Sequence, residues 1–112
     1  MNYPLSLIDK LSMSKSFSKE YIDLDGIKVK RYSRRYPVFK QSTQCYLCGR
    51  QATHFKVDIG YNNGVVTYHL NLYSDDILFT KDHVIPLSKG GANHISNFKT
   101  CCTICNNLKG NR

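Results

Sequence analysis

Two pairs of cysteines in this chain have the spacing that directs two thiolates at one metal ion. Cys45 and Cys48 form the first pair, and Gly49 after it accommodates a tight backbone. Cys102 and Cys105 form a second pair with the same spacing. Four thiolates in two such pairs are the ligand set of a tetrahedral structural zinc site. We therefore predict that Zn²⁺ on these four cysteines stabilises the fold, because a short chain buries too little surface for a strong core.

The chain has five cysteines, so one is left over. Cys102 is the expected ligand rather than Cys101, because only Cys102 keeps two residues before Cys105. Cys101 would then be an apolar core residue. The alternative is that one pair is redox-active and the other buried. It is disfavoured because no βαβ pattern surrounds either pair.

The charge and the apolar pattern limit the class of partner and the compartment. Sixteen Lys and Arg oppose eight Asp and Glu, which gives a net charge of +8 and predicts a polyanionic partner. Nucleic acid is the first expectation and an acidic membrane surface the second. No segment approaches the ~20 apolar residues of a membrane span, and residues 1–12 do not resemble a signal peptide. We expect a cytoplasmic protein, in a reducing compartment where paired cysteines bind metal more often than they form disulfides.

The strand and helix patterns place these residues. Two hairpins are predicted, one around Asp25-Gly26 and one around Asn63-Gly64, both strong turn signals. The other expectations are a short helix within 3–12, a linker over 12–18, strands through 20–40, a strand over 77–86 that ends at Pro86, a loop over 87–97, a return strand over 98–101, and a helix over 103–109 that stops at Gly110.

Three segments together resemble the signature of the HNH endonuclease family. They are 82–91 (DHVIPLSKGG), 93–98 (NHISNF) and 102–110 (CTICNNLKG), and the Cys45/Cys48 pair completes the zinc-containing version. The resemblance implies an α+β fold: a small ββα-metal, treble-clef-like domain with β-hairpins and a short C-terminal helix. It divides the chain into an N-terminal extension, 1–44, with a short helix and a basic hairpin, and a nuclease domain, 45–112.

The resemblance also implies a catalytic site for hydrolysing DNA, less often RNA. His83 would be the general base, and Asp82 and Asn106 would hold Mg²⁺ or Mn²⁺. Asn97 would tie down the loop and help to orient His83. The residue types suit the reaction: an imidazole has a pKa near ~6.5, and a hard cation with oxygen ligands stabilises negative charge on phosphoryl oxygens.

The sequence leaves two features of this site open: the identity of the second metal ligand and the geometry of Asp82 and His83. The family often has His where this chain has Asn106, which is similar to the H-N-N variant of phage endonucleases of the endonuclease VII kind; Asn107 is the alternative ligand. Asp82 and His83 are neighbours on a predicted strand, so their side chains point in opposite directions. The strand must be twisted or bulged for both to serve one site.

The basic residues have two interpretations, one functional and one without a binding role. They would contact phosphates, with Tyr32 and Tyr36 available for stacking, or they would form a solvated charged surface. The candidates for DNA binding are Lys28, Lys30, Arg31, Arg34, Arg35, Lys89 and Lys109, and Lys99 has the same two interpretations. His94 would contact substrate or brace the loop, whereas His54 and His69 are expected to be ordinary strand or surface residues.

The sequence is compatible with three functions. The first is a metal-dependent endonuclease or nickase. The second is a non-catalytic zinc-finger module that binds nucleic acid or protein, and the third is a small inhibitor or adaptor from a phage or other mobile element. The presence of Asp82, His83, Asn97 and Asn106 together favours the nuclease, since a zinc finger needs only the cysteines. A monomer with one site would nick DNA and a double-strand cut would require a homodimer, so the oligomeric state stays open.

Overall fold

A computed structural model describes residues 1–110 as a five-stranded sheet, a separate hairpin and two short helices. The strands are β1 (Asn2–Pro4), β2 (Tyr21–Leu24), β3 (Ile27–Lys30), β4 (His54–Asn62), β5 (Val65–Ser74), β6 (Ile77–His83) and β7 (Phe98–Cys102). The helices are α1 (Arg35–Gln41) and α2 (Thr103–Lys109). Short 3₁₀ helices occupy Leu5–Lys10, Lys15–Phe17, Leu87–Lys89 and Ile95–Asn97.

The sheet has the order β1-β4-β5-β6-β7, and every neighbouring pair is antiparallel. β2 and β3 form the separate hairpin, and β3 packs against β5. α2 packs on β6 and β7, which makes β6, β7 and α2 a ββα unit at one edge of the sheet. The predicted α+β class, with hairpins, a short C-terminal helix and a cysteine cluster placed to bind metal, is confirmed. No helix within residues 1–110 is long and apolar enough to cross a membrane.

Both predicted hairpin turns form where the sequence places them. Asp25 and Asn63 have positive φ angles of 55° and 51°, and the glycine after each has φ of 88° and 80°. Two consecutive positive φ angles are the type I′ geometry that matches strand twist, and Gly adopts the second without steric cost. A third turn at Asp75 joins β5 to β6 with φ of 51°; the sequence analysis did not predict it.

One hydrophobic cluster runs through the molecule and includes side chains from both predicted parts of the chain. Phe55, Leu72 and Phe79 contribute from the sheet. Leu7, Leu11, Leu24, Val29, Tyr36 and Phe39 contribute from the first 44 residues. Residues 1–44 therefore share their core with the rest of the chain, and the division at residue 45 stays a prediction from the resemblance.

The N-terminal prediction needs correction. In place of a helix over 3–12, residues 2–4 form β1 and residues 5–10 form a 3₁₀ turn. β1 pairs with β4 at Asn2↔Lys56. Hydrogen bonding to the edge of the sheet therefore holds residues 2–4 in an extended conformation and prevents a helix from starting there. The predicted linker also contains a short 3₁₀ turn, Lys15–Phe17, in which Ser14 Oγ accepts the N–H of Ser16.

The strand prediction through residue 40 is wrong after residue 30, because residues 35–41 form α1. Pro37 lies in the first turn of this helix, where its missing N–H costs no hydrogen bond. Ser33 Oγ accepts the N–H of Arg35 at 3.3 Å, and Tyr36 and Phe39 are buried on one face. Ser33, followed by Pro37 in what would be the first helical turn, was the available signal for a helix start.

Candidate functional site

The four predicted cysteine ligands lie together. Their sulfur atoms are all within 4.8 Å of one another, and Sγ of Cys48 and Sγ of Cys102 are 3.8 Å apart. A tetrahedral ion with metal–sulfur bonds of ~2.3 Å places its sulfurs roughly 3.8 Å from each other. The cluster therefore has the composition and the spacing for one metal ion such as zinc. Cys101 is fully buried and lies outside the cluster.

The pKa values of the clustered cysteines shift in different directions. Burial raises the pKa of Cys102, and the contact with Cys48 raises that of Cys105, whereas the pKa of Cys45 is lowered. Burial raises the pKa of Cys45, but backbone N–H groups of Cys48, Cys102 and Leu47 outweigh it and lower that pKa to about 6. The thiolate is the form that binds metal, so Cys45 is prepared as a ligand. Burial raises the pKa of Cys101 to about 12, which keeps this thiol neutral.

A backbone hydrogen bond attaches the first cysteine pair to the ββα unit. The Tyr46 N–H donates to the carbonyl oxygen of Thr100 in β7 at 3.0 Å. The Thr100 hydroxyl donates to the carbonyl oxygen of Ser42 at 2.6 Å, beyond the end of α1. The cysteine cluster therefore lies where α1, the first pair, β7 and α2 meet.

A shallow cleft of about 300 Å³ lies next to this junction, and it brings together three of the four predicted catalytic residues. Asp82, His83 and Asn106 line it together with Lys109. Asp82 and Thr80 share the face of β6 that α2 covers, and the Asn106 amide donates to Thr80 Oγ1 at 3.3 Å. His83 is the last residue of β6, so both neighbours reach the cleft from the end of the strand.

Of the two expected distortions, a twist or a bulge, the bulge does not occur between Phe79 and His83. β6 pairs with β7 without interruption from Phe79↔Cys102 to His83↔Phe98. β6 ends at His83, so the alternation of side chains between the two faces of the strand does not continue beyond this residue. The predicted end at Pro86 is therefore wrong by three residues, and the cause is Asn97.

Beyond His83, the side chain of Asn97 makes hydrogen bonds in place of the β6–β7 backbone pairing. It is buried, and its Oδ1 accepts the N–H of Ile85 at 2.9 Å. Its Nδ2 donates to the carbonyl oxygens of Ile85 and Ala92, both at 2.9 Å. Gly91 lies inside the same loop, where an added Cβ would be 1.8 Å from the Ile85 carbonyl oxygen. Asn97 thus ties the loop to the end of the His83 strand.

Replacing Asn97 with alanine should destabilise the protein by about 2–3 kcal/mol, because it removes three partly buried hydrogen bonds and leaves the N–H of Ile85 without its partner. Thermal unfolding followed by circular dichroism measures the loss. Asn107→Ala is the matched control: Asn107 is exposed on α2, so stability should change by less than ~0.5 kcal/mol. Equal melting temperatures for the two variants would show that Asn97 does not hold the loop.

The Asp82 carboxylate has two donors that sequence analysis did not assign to it. Its Oδ2 accepts the Tyr46 hydroxyl at 2.8 Å and Lys109 Nζ at 2.9 Å. Lys109 also donates to the His83 carbonyl oxygen at 2.5 Å. Burial lowers the pKa of Lys109, but its bonds to Asp82 and Tyr46 outweigh this and raise it. Lys109, predicted to contact phosphate, thus forms an internal ion pair in the cleft.

The His83 ring is held on two sides. Its Nε2 lies 3.2 Å from Asn93 Oδ1, and the ring meets Phe98 edge-on with 4.7 Å between centroids. A carboxamide oxygen only accepts, so this contact places the ring proton on Nε2 and leaves Nδ1 as the basic nitrogen. Asn93 was missed because its partner is ten residues away across an irregular loop.

The remaining histidines bond to neighbouring hydroxyl-bearing residues. His94 Nδ1 accepts the Ser96 N–H at 3.2 Å and so caps the turn before β7. His54 contacts the Thr53 hydroxyl at 2.8 Å, and His69 contacts that of Thr67 at 2.9 Å.

The predicted DNA-binding residues divide into free and engaged groups. Within residues 1–110, Lys28, Lys30, Arg34 and Lys89 are exposed and have no acidic partner in an ion pair. Arg31 pairs with Glu20 at 3.1 Å. Arg35 donates to Asn71 Oδ1 at 2.6 Å and to the Leu70 carbonyl oxygen at 3.0 Å, so its guanidinium ties α1 to β5. A phosphate contact by Arg35 stays a prediction that must compete with these bonds.

Comparison with known proteins identifies the segment that carries the cleft. The family model described as HNH endonuclease matches residues 73–112, and the predicted resemblance is confirmed. The match includes Asp82, His83, Asn97, Asn106 and the second cysteine pair, whereas Cys45 and Cys48 lie outside it. No curated protein and no solved structure matched the chain.

Proposed function

We propose, because residues 73–112 match the HNH endonuclease family model, that this protein is a metal-dependent endonuclease or nickase that hydrolyses phosphodiester bonds in DNA. The observation that carries the proposal is the cleft at the end of β6. It brings together an imidazole and a carboxylate from β6 and a carboxamide from α2, all within the matched region. A zinc finger that only binds would need none of these three groups.

His83 is the proposed general base. Asn93 and Phe98 fix its ring, and the bond from Nε2 leaves Nδ1 to take the proton from an attacking water. Asn97 acts at a distance from the reacting atoms, because it fixes the loop that carries Asn93.

Asp82 and Asn106 fit a hard divalent cation, Mg²⁺ or Mn²⁺, through one carboxylate oxygen and one amide oxygen. Lys109 and Tyr46 both bond to Oδ2 of Asp82, and no hydrogen bond to Oδ1 occurs within the described residues. When bound, such a cation would stabilise the negative charge that develops on the phosphoryl and leaving oxygens. Asn106 is the preferred ligand over Asn107, because Asn106 lines the cleft and bonds to Thr80.

Lys109 has a second effect in this proposal. An unpaired carboxylate in the cleft would repel a phosphodiester, since both are negatively charged. The Lys109 ammonium neutralises Asp82 and adds a donor that an incoming phosphate oxygen can share. This keeps Lys109 among the proposed DNA-binding residues, together with Lys28, Lys30, Arg31, Arg34 and Lys89.

The cysteine cluster is proposed to hold a structural Zn²⁺, separate from the catalytic ion. Thiolate ligands suit zinc, whereas oxygen ligands suit Mg²⁺. Tyr46 connects the two centres, because it lies between Cys45 and Cys48 and bonds to Asp82. Free thiolates require reducing conditions, which supports a cytoplasmic location.

One observation favours a second function. The ion pair of Asp82 with Lys109 already neutralises the carboxylate that would hold the catalytic cation. A non-catalytic module that binds nucleic acid on the same scaffold would have the same ion pair. The two functions differ in whether DNA is cut.

Nicking of supercoiled plasmid in Mg²⁺ or Mn²⁺ tests the proposal. We expect conversion to open circles by the wild-type protein and none without a divalent cation. Absence of nicking across duplex, branched and single-stranded DNA with both metals would overturn the enzyme proposal and favour the binding module.

The same assay tests the ligand assignment. Asn106→Ala should raise the metal concentration for half-maximal nicking by roughly 10- to 100-fold, as loss of a metal-site group does elsewhere. Asn107→Ala is the matched control and should behave like the wild type. Equal shifts in both variants would contradict the choice of Asn106.

A further inference from the structure

A second groove, which we call the Arg34–Lys81 groove, lies beside the cleft. Its volume is about 300 Å³, and its walls come from the segment before α1 and from the β6–β7 edge. Its lining includes Tyr32, Arg34, Lys81, Asn93, His94 and Phe98, and no acidic side chain lines it within residues 1–110. Lys81 was not among the residues that the sequence analysis singled out.

The groove holds two cations without a counter-ion. Neither Arg34 nor Lys81 takes part in an ion pair within the described residues. Lys81 Nζ lies 4.1 Å from the centroid of the Phe98 ring, which positions the ammonium over an apolar wall. Burial, and then the charge of Arg34, lower the pKa of Lys81. An anion in the groove would relieve that repulsion.

The groove reaches the proposed general base. Lys81 and His83 share one face of β6, because they are two residues apart on a strand, whereas Asp82 lies on the opposite face. Asn93 and Phe98 line the groove, and both contact the His83 ring. His83 therefore stands between the catalytic cleft on one side and the Arg34–Lys81 groove on the other.

The groove also continues away from the cleft. Tyr32 lines both this groove and a larger one of about 560 Å³ between the β2–β3 hairpin and β5. The larger groove is lined by Lys28 and Lys30 and by the rings of Tyr21 and Tyr68, and again by no acidic side chain in the described chain. Cations and aromatic rings along one path are the pattern of a groove that follows a nucleic-acid strand.

We propose that the Arg34–Lys81 groove binds a backbone phosphate of the nucleic acid next to the scissile one, and that the bound strand continues from His83 toward the β2–β3 hairpin. The inference rests on the proposed function for the identity of the anion. It divides the task of holding the substrate strand between Lys81, inside the matched family segment, and residues before that segment, Arg34 above all.

Binding without cleavage tests this inference. The probe is a fluorescein-labelled DNA duplex, titrated with the His83→Ala protein without added divalent cation and without chelator, so that the cysteine-bound metal is retained. Lys81→Gln in this background should lower DNA affinity and reduce the slope of log K against log salt by about 1, the contribution of one phosphate contact.

Lys10→Gln is the matched control for the charge change. Lys10 is also a lysine that lines a groove, but Asp23 and Asp25 line that groove with it. Its slope should stay at the starting value. Arg34→Gln, on the opposite wall of the Arg34–Lys81 groove, should repeat the effect of Lys81→Gln; it provides a test at an exposed side chain should Lys81→Gln melt early.

A neutral methylphosphonate, placed at one backbone position at a time, locates the phosphate. The protein with Lys81 should lose affinity when the neutral linkage is next to the cut position. Lys81→Gln should be insensitive at that position and normal at the others. Unchanged slopes in both groove variants, or equal sensitivity of both proteins at every linkage, would overturn the inference, as would a failure to bind DNA.

The two proposals fail in different ways. A protein that nicks plasmid but keeps its salt slope in Lys81→Gln refutes the groove and leaves the nuclease. A protein that never nicks, yet loses one phosphate contact in Lys81→Gln, refutes the nuclease and leaves the groove as part of a binding module.

Discussion

Replacing His83 with alanine should slow plasmid nicking by roughly 10²- to 10⁴-fold, the usual contribution of general base catalysis, while DNA affinity stays the same. The reason is the position of the ring: it borders the cleft, and its Nδ1 is the nitrogen left without a proton. The measurement is the single-turnover nicking rate at saturating protein, with affinity measured separately by anisotropy. An unchanged affinity separates a chemical role from a binding role.

His54→Ala is the matched control for this substitution. His54 lies at the start of β4 and lines neither the cleft nor the two basic grooves, and its ring contacts the Thr53 hydroxyl and stacks on Tyr73. It should nick at the wild-type rate. A full rate in His83→Ala would remove His83 from the mechanism even if the protein proves to be a nuclease. His94→Ala would then be the next variant to measure, because His94 lies in the same loop as Asn93.

The parts of the site that sequence analysis predicted are those encoded by short spacings. The Cys-x-x-Cys pairs, the adjacent Asp82 and His83, and Asn106 after the last cysteine are all local patterns. The Asp25-Gly26 and Asn63-Gly64 turns were predictable for the same reason, because each depends on two adjacent residues that tolerate positive φ.

The parts that could not be predicted are contacts between distant segments. Tyr46 meets Asp82 across 36 positions of sequence, and Arg34 faces Lys81 only because α1 and β6 pack at one edge. No local pattern encodes either contact. The same limit explains why a strand was predicted over 35–40, where the chain forms α1. The burial of Tyr36 and Phe39 in the shared core, which no local pattern encodes, decides the conformation there.

Replacing Cys48 with serine should abolish binding of the structural metal and unfold most of the chain. A structural zinc contributes an apparent ~10–16 kcal/mol at neutral pH in small zinc domains, whereas the net stability of a small domain is only about 5–15 kcal/mol. Loss of one of four ligands therefore removes an amount comparable to the whole stability. The metal content by mass spectrometry and the thermal unfolding curve measure the two effects.

Cys101→Ala is the matched control, since Cys101 is fully buried but lies outside the ligand cluster. It should retain one metal per chain and lose only about 1 kcal/mol, in line with a small core truncation. Chelation of the wild-type protein should reproduce the Cys48→Ser unfolding curve, and added Zn²⁺ should restore the fold in the wild type alone. A metal-free wild-type protein that melts at the temperature of the metal-bound form would refute the structural role.

Loss of the structural metal should also stop cleavage. Tyr46 lies within the first cysteine pair and bonds to Asp82, so metal loss should disrupt this contact of the catalytic cleft together with the fold. Nicking should therefore disappear over the same range of chelator concentration as the folded signal.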